Sequence, residues 1–327
     1  MSLSRREFLE ATAIAGLAAG TLAADTGKPA LPTRILGKTG VRVSILAFGT
    51  GSRFLLYKEE DKALEALQMA LDLGITYIDT ADEYGKGRLA EQRVGKAIRG
   101  RRDSVFLATK LSNRDGAESQ RLVEESLKAL QVDRLDLLHI HALTTADDLA
   151  NIEAKGGVLE QLLKLRDQKL TRFIGITSHA DPEVMKTALE RHDFDCAQMA
   201  LNAANVAMVN GGGKLGMVPN PEIHTSFETT ALPVAVRKKM GILAIKSFAQ
   251  DHLVGQASPE KLLYYTLSLP ISAAVVGMPR LEHIQDNVRL AKAFAPLPPP
   301  EMKQLAATLS QKNKQALDHF FRNHVDA

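Results

Sequence analysis

One cysteine, Cys196, stands in a chain of 327 residues. That excludes an intramolecular disulfide, a CxxC redox site, a cysteine-rich zinc site and an iron–sulfur cluster built from this chain alone. Any redox chemistry must therefore come from a bound cofactor. A surplus of one charge is also missing. The 41 Lys and Arg face 38 Asp and Glu, a formal net charge of +3 that is too mild to mark a nucleic-acid partner. The weakly apolar stretch from Ala11 to Ala24 has fourteen residues, too few to span a bilayer. What is present, 45% hydrophobic and 24% charged residues with 23 glycines, is ordinary globular usage and excludes collagen-like, coiled-coil and wholly disordered chains.

The chain opens Ser4-Arg5-Arg6-Glu7-Phe8-Leu9, then the small-residue stretch, then candidate cleavage positions at Ala23 or Ala24. This resembles a twin-arginine export signal, and the competing reading is an Ala-rich helix docked on the body. Residues 1–24 are thus expected to be a signal segment read by the twin-arginine export machinery. Residues 25–327 are the mature protein, periplasmic or otherwise extracytoplasmic and without stable membrane insertion once processed. With a non-functional signal the protein is cytoplasmic.

From Arg42 onward, eight short runs rich in Val, Ile and Leu alternate with helical patterns: 43–49, 75–81, 104–110, 134–141, 172–178, 196–202, 242–248 and 273–278. Helix candidates lie between them, for example 89–100 and 117–132. Parallel strands need covering crossovers, so the alternation predicts a sheet buried on both faces, either closed or open and doubly wound. The length suits a closed (β/α)8 TIM barrel of about 250 residues with additions. A turn at Gly37 to Gly40 predicts a short N-terminal hairpin at the barrel floor, and the segment after Pro296 predicts a C-terminal helix. The stretch from about 205 to 230, with Gly211-Gly212-Gly213, Pro219 and Pro221, is expected to be a long irregular loop that covers a site or strays over the surface.

In such a barrel the carboxyl ends of the strands converge. The second strand ends at Asp79 with Tyr84 five residues on, the third at Lys110, the fourth at His141. An acid, a phenol, an ammonium and an imidazole suit proton transfer to an oxygen. Lys110 stabilises a phenolate on Tyr84, Asp79 keeps Lys110 charged, and His141 hydrogen-bonds the substrate oxygen. Taken singly, Asp79 reads as a cap, Tyr84 as a surface aromatic, Lys110 as a rim ion pair and His141 as a structural histidine; their joint placement favours one site. His139 shares the parity of His141 and is expected one interior layer below. With no third ligand in view, the two mark no metal site.

The segments LGKTGVRVSILAFGT, GITYIDTADEYGKGRLAEQRVGKAI, VFLATKL, RLDLLHIHAL, IGITSH and GMPRLEHIQDNV together resemble the aldo-keto reductase superfamily over about 33–295. The resemblance implies a (β/α)8 barrel, usually monomeric, that reduces a small-molecule aldehyde or ketone with NADPH, NADH being possible. It places the catalytic tetrad on Asp79, Tyr84, Lys110 and His141. It places cofactor contacts on Gly49, Thr50 and Asp79 and carboxamide contacts on Ser178 and Gln198, with His179 where the family has asparagine, Asn202 at the pocket wall, and Lys246 where many members stack a tyrosine. Gly277, Met278, Pro279, Arg280, His283, Asp286 and Asn287 correspond to the adenosine-phosphate loop. There Arg280 is the phosphate-seeking cation and His283 replaces a frequent arginine.

Two rivals remain. Gly85-Lys86-Gly87-Arg88-Leu89-Ala90 fits G-x-G-x-x-A and would imply an open dinucleotide-binding sheet. That fold ends its next strand in an acid, whereas this one ends in Ala108-Thr109-Lys110. The other is a catalytically weak nucleotide-binding barrel that serves as an auxiliary or binding protein.

Overall fold

The computed structural model describes residues 30–210, 217–220 and 222–322. The expected signal segment lies outside the described residues.

The chain begins with a two-stranded hairpin, β1 (Thr33–Ile35) and β2 (Arg42–Ser44). Then come β3 (Leu46–Gly49), β4 (Tyr77–Asp79), β5 (Phe106–Leu111), β6 (Leu135–Ile140), β7 (Thr171–Ser178) and β8 (Cys196–Ala200). A second hairpin, β9 (Met208–Asn210) with β10 (Met217–Pro219), precedes β11 (Gly241–Ile245) and β12 (Ala273–Val276). Strands β3–β8, β11 and β12 close into a barrel of parallel pairs. Closure removes the open-sheet alternative. The glycines at 85 and 87 and Arg88 take positive φ in the turn that leads into the next helix. Within the stretch 205–230, expected to be an irregular loop, the described residues include the antiparallel pair β9 and β10.

Ten helices are described: α1 (Glu60–Asp72), α2 (Leu89–Ala97), α3 (Gly116–Leu130), α4 (Ala146–Glu153), α5 (Val158–Asp167), α6 (Pro182–Arg191), α7 (Leu232–Arg237), α8 (Pro259–Ser268), α9 (Leu281–Lys292) and α10 (Pro299–Arg322). Their starts follow from local chemistry. Asp115, Thr145, Asp181 and Ser258 each accept a backbone N–H of the first turn, and Pro182 and Pro259 occupy first positions where no donor is needed.

Strand parity splits the apolar residues into two cores. Leu107, Leu138, Ile174 and Ile176 face the helices, whereas Ala47, Tyr77, Phe106, Ala108, Leu137 and Leu243 fill the barrel. Tyr77, Phe106 and Phe173 stack across that interior, with centroids 5.1 and 6.3 Å apart. The first hairpin plugs the floor with Leu36, which is fully buried among the interior residues. Its turn requires glycine: Gly37 has φ +49°, and a Cβ there would lie 2.2 Å from the Met240 carbonyl carbon. An apolar, plugged floor leaves the carboxyl ends of the strands as the place for polar chemistry.

Candidate active site

The last inward-facing positions of β4 and β5 bring Asp79 and Lys110 together. Lys110 is 1% exposed; its Nζ lies 2.5 Å from Asp79 Oδ2 and donates to the Thr80 carbonyl at 2.7 Å. The other Asp79 oxygen accepts the Gln198 amide at 3.0 Å. Burial alone would drive the ammonium to lose its proton, but Asp79 and Tyr84 outweigh it and hold Lys110 above the ordinary lysine value. Thr50, at the mouth of β3, donates both its N–H and its hydroxyl to the Asp79 carbonyl at 2.9 and 3.0 Å, fixing the backbone that carries the acid.

Tyr84 hangs over this pair from the following loop. Lys110 Nζ donates to its hydroxyl at 3.4 Å and sits 4.9 Å from the ring centroid. Burial raises the phenol above its usual range, Lys110 pulls it back and Asp79 raises it again. The phenol is therefore protonated at neutral pH and has a cation poised beside any phenolate that forms. Gly51 passes under the ring, where a Cβ would touch it at 3.4 Å.

His141 is the first residue beyond β6, and its ring meets Tyr84 edge-on with centroids 5.6 Å apart. Its Nδ1 lies 3.1 Å from both Ser112 Oγ and Glu83 Oε1. The Arg114 guanidinium, clamped on the Asp148 carboxylate, donates to the His141 carbonyl at 2.8 Å. The four tetrad candidates thus form one contiguous cluster. His139 lies a layer below, fully buried, its ring filling the space left by Gly175, where a Cβ would come within 2.5 Å. Neither ring nitrogen has a partner among the described residues, and burial holds it neutral, well below the imidazole range.

The carboxamide candidates are already engaged within the protein. Ser178 donates to the Leu143 carbonyl at 2.7 Å, and His179 Nδ1 lies 3.2 Å from the Met208 carbonyl. Burial, with Lys246 nearby, takes His179 down to about 4. Gln198 gives its amide hydrogen to Asp79. The Asn202 amide closes a turn on the main chain of Val206.

Across the mouth, Lys246 follows β11 in a left-handed conformation, φ 62°, and donates to Gln250 Oε1 at 2.9 Å. Burial, then Arg53 and Lys110, lower it to about 8. Arg53 reaches the Gln250 carbonyl and pairs with Asp251, while its stem packs so closely on Gly277 that a Cβ there would lie 2.8 Å away. Among the described residues, Ser247 Oγ and Arg53 Nε are buried without partners. Further round, exposed Arg280 opens α9 and its guanidinium lies 2.8 Å from His283 Nε2; Asp286 pairs with Arg289, and Asn287 is buried. The cations Arg53, Lys246 and Arg280, the Ser247 hydroxyl and the N-terminus of α9 fit a nucleotide diphosphate laid along this rim. Gly49 lines the same mouth, its Cα hydrogen facing Val275.

Sequence reasoning missed Glu83, Ser112, Arg53 and Ser247. Ser112 stands two residues beyond Lys110, so strand parity alone could have found it. Arg53 is brought in by loop packing that no spacing encodes. Among the described residues no group of three His, Cys, Asp or Glu is arranged to hold a metal ion.

Comparison with known proteins is consistent with this geometry. The chain is 28% identical over 289 residues to the uncharacterized oxidoreductase YqkF of Bacillus subtilis (strain 168), covering 80% of this chain and 91% of the relative. An aldo-keto reductase of Bacillus halodurans, solved in its holo form, superposes with a TM-score of 0.68 at 25% identity over 85% of this chain and 96% of its own. One from Klebsiella pneumoniae, solved with NADPH, gives 0.66 at 24% identity over 87% and 96%. Residues 45–211 match the family model for the Aldo/keto reductase family, and the chain belongs to that family.

Proposed function

We propose that the protein reduces a small-molecule aldehyde or ketone to an alcohol, with NADPH as hydride donor and Tyr84 as general acid. The carrying observation is the Lys110 ammonium, buried on Asp79 and 3.4 Å from the Tyr84 hydroxyl. When bound, the nicotinamide supplies the hydride. The chain's residues handle the proton: Tyr84 delivers it to the carbonyl oxygen, Lys110 stabilises the phenolate left behind, and Asp79 keeps Lys110 charged without moving it. His141 orients the oxygen. Arg53, Lys246 and Arg280 neutralise the phosphates, and Arg280 beside His283 favours a nucleotide carrying an extra phosphate. The NADPH-bound Klebsiella pneumoniae neighbour supports that choice.

The experiment is NADPH oxidation with a panel of small aldehydes by wild type and Tyr84→Phe. The variant should lose at least about a hundredfold in turnover while still binding nucleotide. Near-normal turnover removes Tyr84 from its role. Nucleotide binding without turnover in wild type favours the auxiliary reading. We propose further that the Arg5-Arg6 segment directs export to the periplasm. Sequencing the mature N-terminus from the native host decides: a start near Asp25 supports export, and an intact Ser2 opposes it.

A further inference from the structure

The apolar plug ends near the barrel axis, and beside it the amino ends of the strands carry charge. Arg102 precedes β5, Arg134 precedes β6, Arg172 is the second residue of β7 and Arg42 opens β2. Strand polarity therefore sets all four at the floor, opposite the tetrad. They line one hollow of about 190 Å3, together with Val41, Val105 and Phe106. A second hollow of about 430 Å3 adjoins it. The two share Arg102, Asp103 and Arg134, and the larger adds Arg99 and Gln131 from just beyond α2 and α3.

We propose that the two hollows are a binding site for the phosphate monoester of a hydroxylated small molecule, the guanidinium groups of the smaller hollow holding the phosphate and the larger hollow the organic part. Asp136 organises the first. Its side chain is 6% exposed, with one oxygen 2.8 Å from the Arg102 guanidinium and the other accepting from Arg172 at 2.7 Å. The Leu107 N–H donates to that carboxylate at 2.9 Å and ties it to β5. Arg102 also donates to the carbonyls of Val105 and Arg134 at 2.8 and 3.0 Å, while its Nε has no partner among the described residues. Arg172 lies over the Phe173 ring, 5.1 Å from its centroid. Two of the four cations are thus fixed within the protein itself.

The other two cations have no anion of their own. Arg42 reaches only the carbonyl and hydroxyl of Thr33, at 3.4 and 3.3 Å, and the Arg134 side chain has no partner among the described residues. Against Arg42, Arg102, Arg134 and Arg172, the smaller hollow sets only Asp136 and the exposed Asp103, which leaves a surplus of two positive charges. Like charges gathered round one hollow repel, and nothing in the packing of the floor requires them there. A phosphate monoester brings nearly two negative charges at neutral pH and three acceptor oxygens, and guanidinium forks match those oxygens in pairs. A carboxylate meets only half the surplus. The larger hollow has the volume of a small-molecule site. Asp133, and Arg99 joined to Gln131 at 2.7 Å, give it hydrogen-bonding walls suited to hydroxyl groups.

This site stands apart from the reductase reading, and its test needs no turnover. Glycerol 3-phosphate is titrated calorimetrically into the full-length chain at low ionic strength, with glycerol as the control. Wild type should bind the ester at millimolar concentration or below, and glycerol not at all. Arg42→Ala and Arg134→Ala should each weaken binding at least about tenfold, the loss of a charge-assisted hydrogen bond. Their urea midpoints should stay at the wild-type value, because both side chains are exposed and outside any ion pair among the described residues. Arg134→Lys should recover only part of the affinity, since an ammonium cannot fork. Arg280→Ala, at the nucleotide rim, should bind the ester as wild type does. No binding by wild type to either the ester or the vesicles below overturns the proposal. So does binding that Arg280→Ala loses and Arg134→Ala keeps, which puts the phosphate at the nucleotide rim. A lipid headgroup could offer the same chemistry, so flotation with phosphatidylcholine vesicles, with and without phosphatidic acid, separates the sources. Flotation that requires phosphatidic acid and is lost in Arg134→Ala supports the site with a lipid as its ligand, and ester binding without flotation supports it with a soluble one. Flotation unchanged in Arg134→Ala, with no ester bound, overturns it.

Discussion

The two sides of the barrel mouth are built differently. At the ends of β4, β5 and β6 the tetrad side chains are partnered within the protein, and none of the four has a positive φ. At the ends of β11 and β12 the chain runs through left-handed Lys246, Ala249, Gln250 and Asp251, and leaves Ser247 Oγ and Arg53 Nε buried without partners. On the first side the four reacting side chains are already paired with protein groups, with the irregularities confined to their neighbours: left-handed Ala142 and the unpartnered Thr80 Oγ1 and Asp82 Oδ1. The other holds a run of left-handed residues and unmet donors within one short segment.

The sharpest way to break this contrast is Lys110→Met. Removing the ammonium leaves the Asp79 carboxylate buried with only Gln198 as side-chain partner. Stability should fall by about 3 kcal/mol, and turnover should fall with that of Tyr84→Phe. Urea melts and NADPH oxidation check both. A stable Lys110→Met protein would show that the pairing on this side is an illusion of proximity. Tyr84→Phe is its control: it leaves Asp79 paired, so it should lose turnover at unchanged stability.

On the other side, Arg280→Ala should act through the cofactor alone. A lost charge-assisted hydrogen bond to phosphate is worth about 1.5 kcal/mol, so KM for NADPH should rise about tenfold with kcat unchanged and NADH barely affected. Equal losses for both nucleotides would move the discrimination to His283 or Lys246. Stability should not change, because Arg280 is exposed and its hydrogen bond is to a neighbour on the same turn.

The contrast also explains what could be read from the sequence. Strand periodicity and the polar residue at each strand end made the barrel and Asp79, Lys110 and His141 legible, because a parallel barrel brings equivalent strand positions to one rim. Tyr84 was reachable from its short distance to Asp79. Arg53 and Ser247 were not, since their meeting depends on loop backbones that no period governs. Glu83 was hidden for another reason: an exposed carboxylate in a loop looks like a solvated charge until the ring it faces is placed. The pairing of Met208–Asn210 with Met217–Pro219 was hidden behind glycines and prolines that read as irregular.

Asp82 is the weak point of the well-made side, and it gives the smallest expected effect. Its Oδ1 is buried without a partner, and burial, opposed by Arg88 and aided by Glu91 and Glu83, pushes its carboxyl up to about 6. Between the ordinary aspartate value near ~4 and that raised value, the folded chain holds a proton the unfolded chain has lost. Folding stability contributed by this group is therefore present below that window and lost as pH rises through it. Asn at this position carries no charge at any pH, so Asp82→Asn should match wild type at pH 4 and exceed it at pH 7.5. The gain should be about 1 kcal/mol, less than the shift alone implies, because the side chain is only half-buried. Urea midpoints at the two pH values measure the difference; parallel curves for the two proteins would mean that Asp82 is solvated in solution and that the tetrad loop carries no such defect.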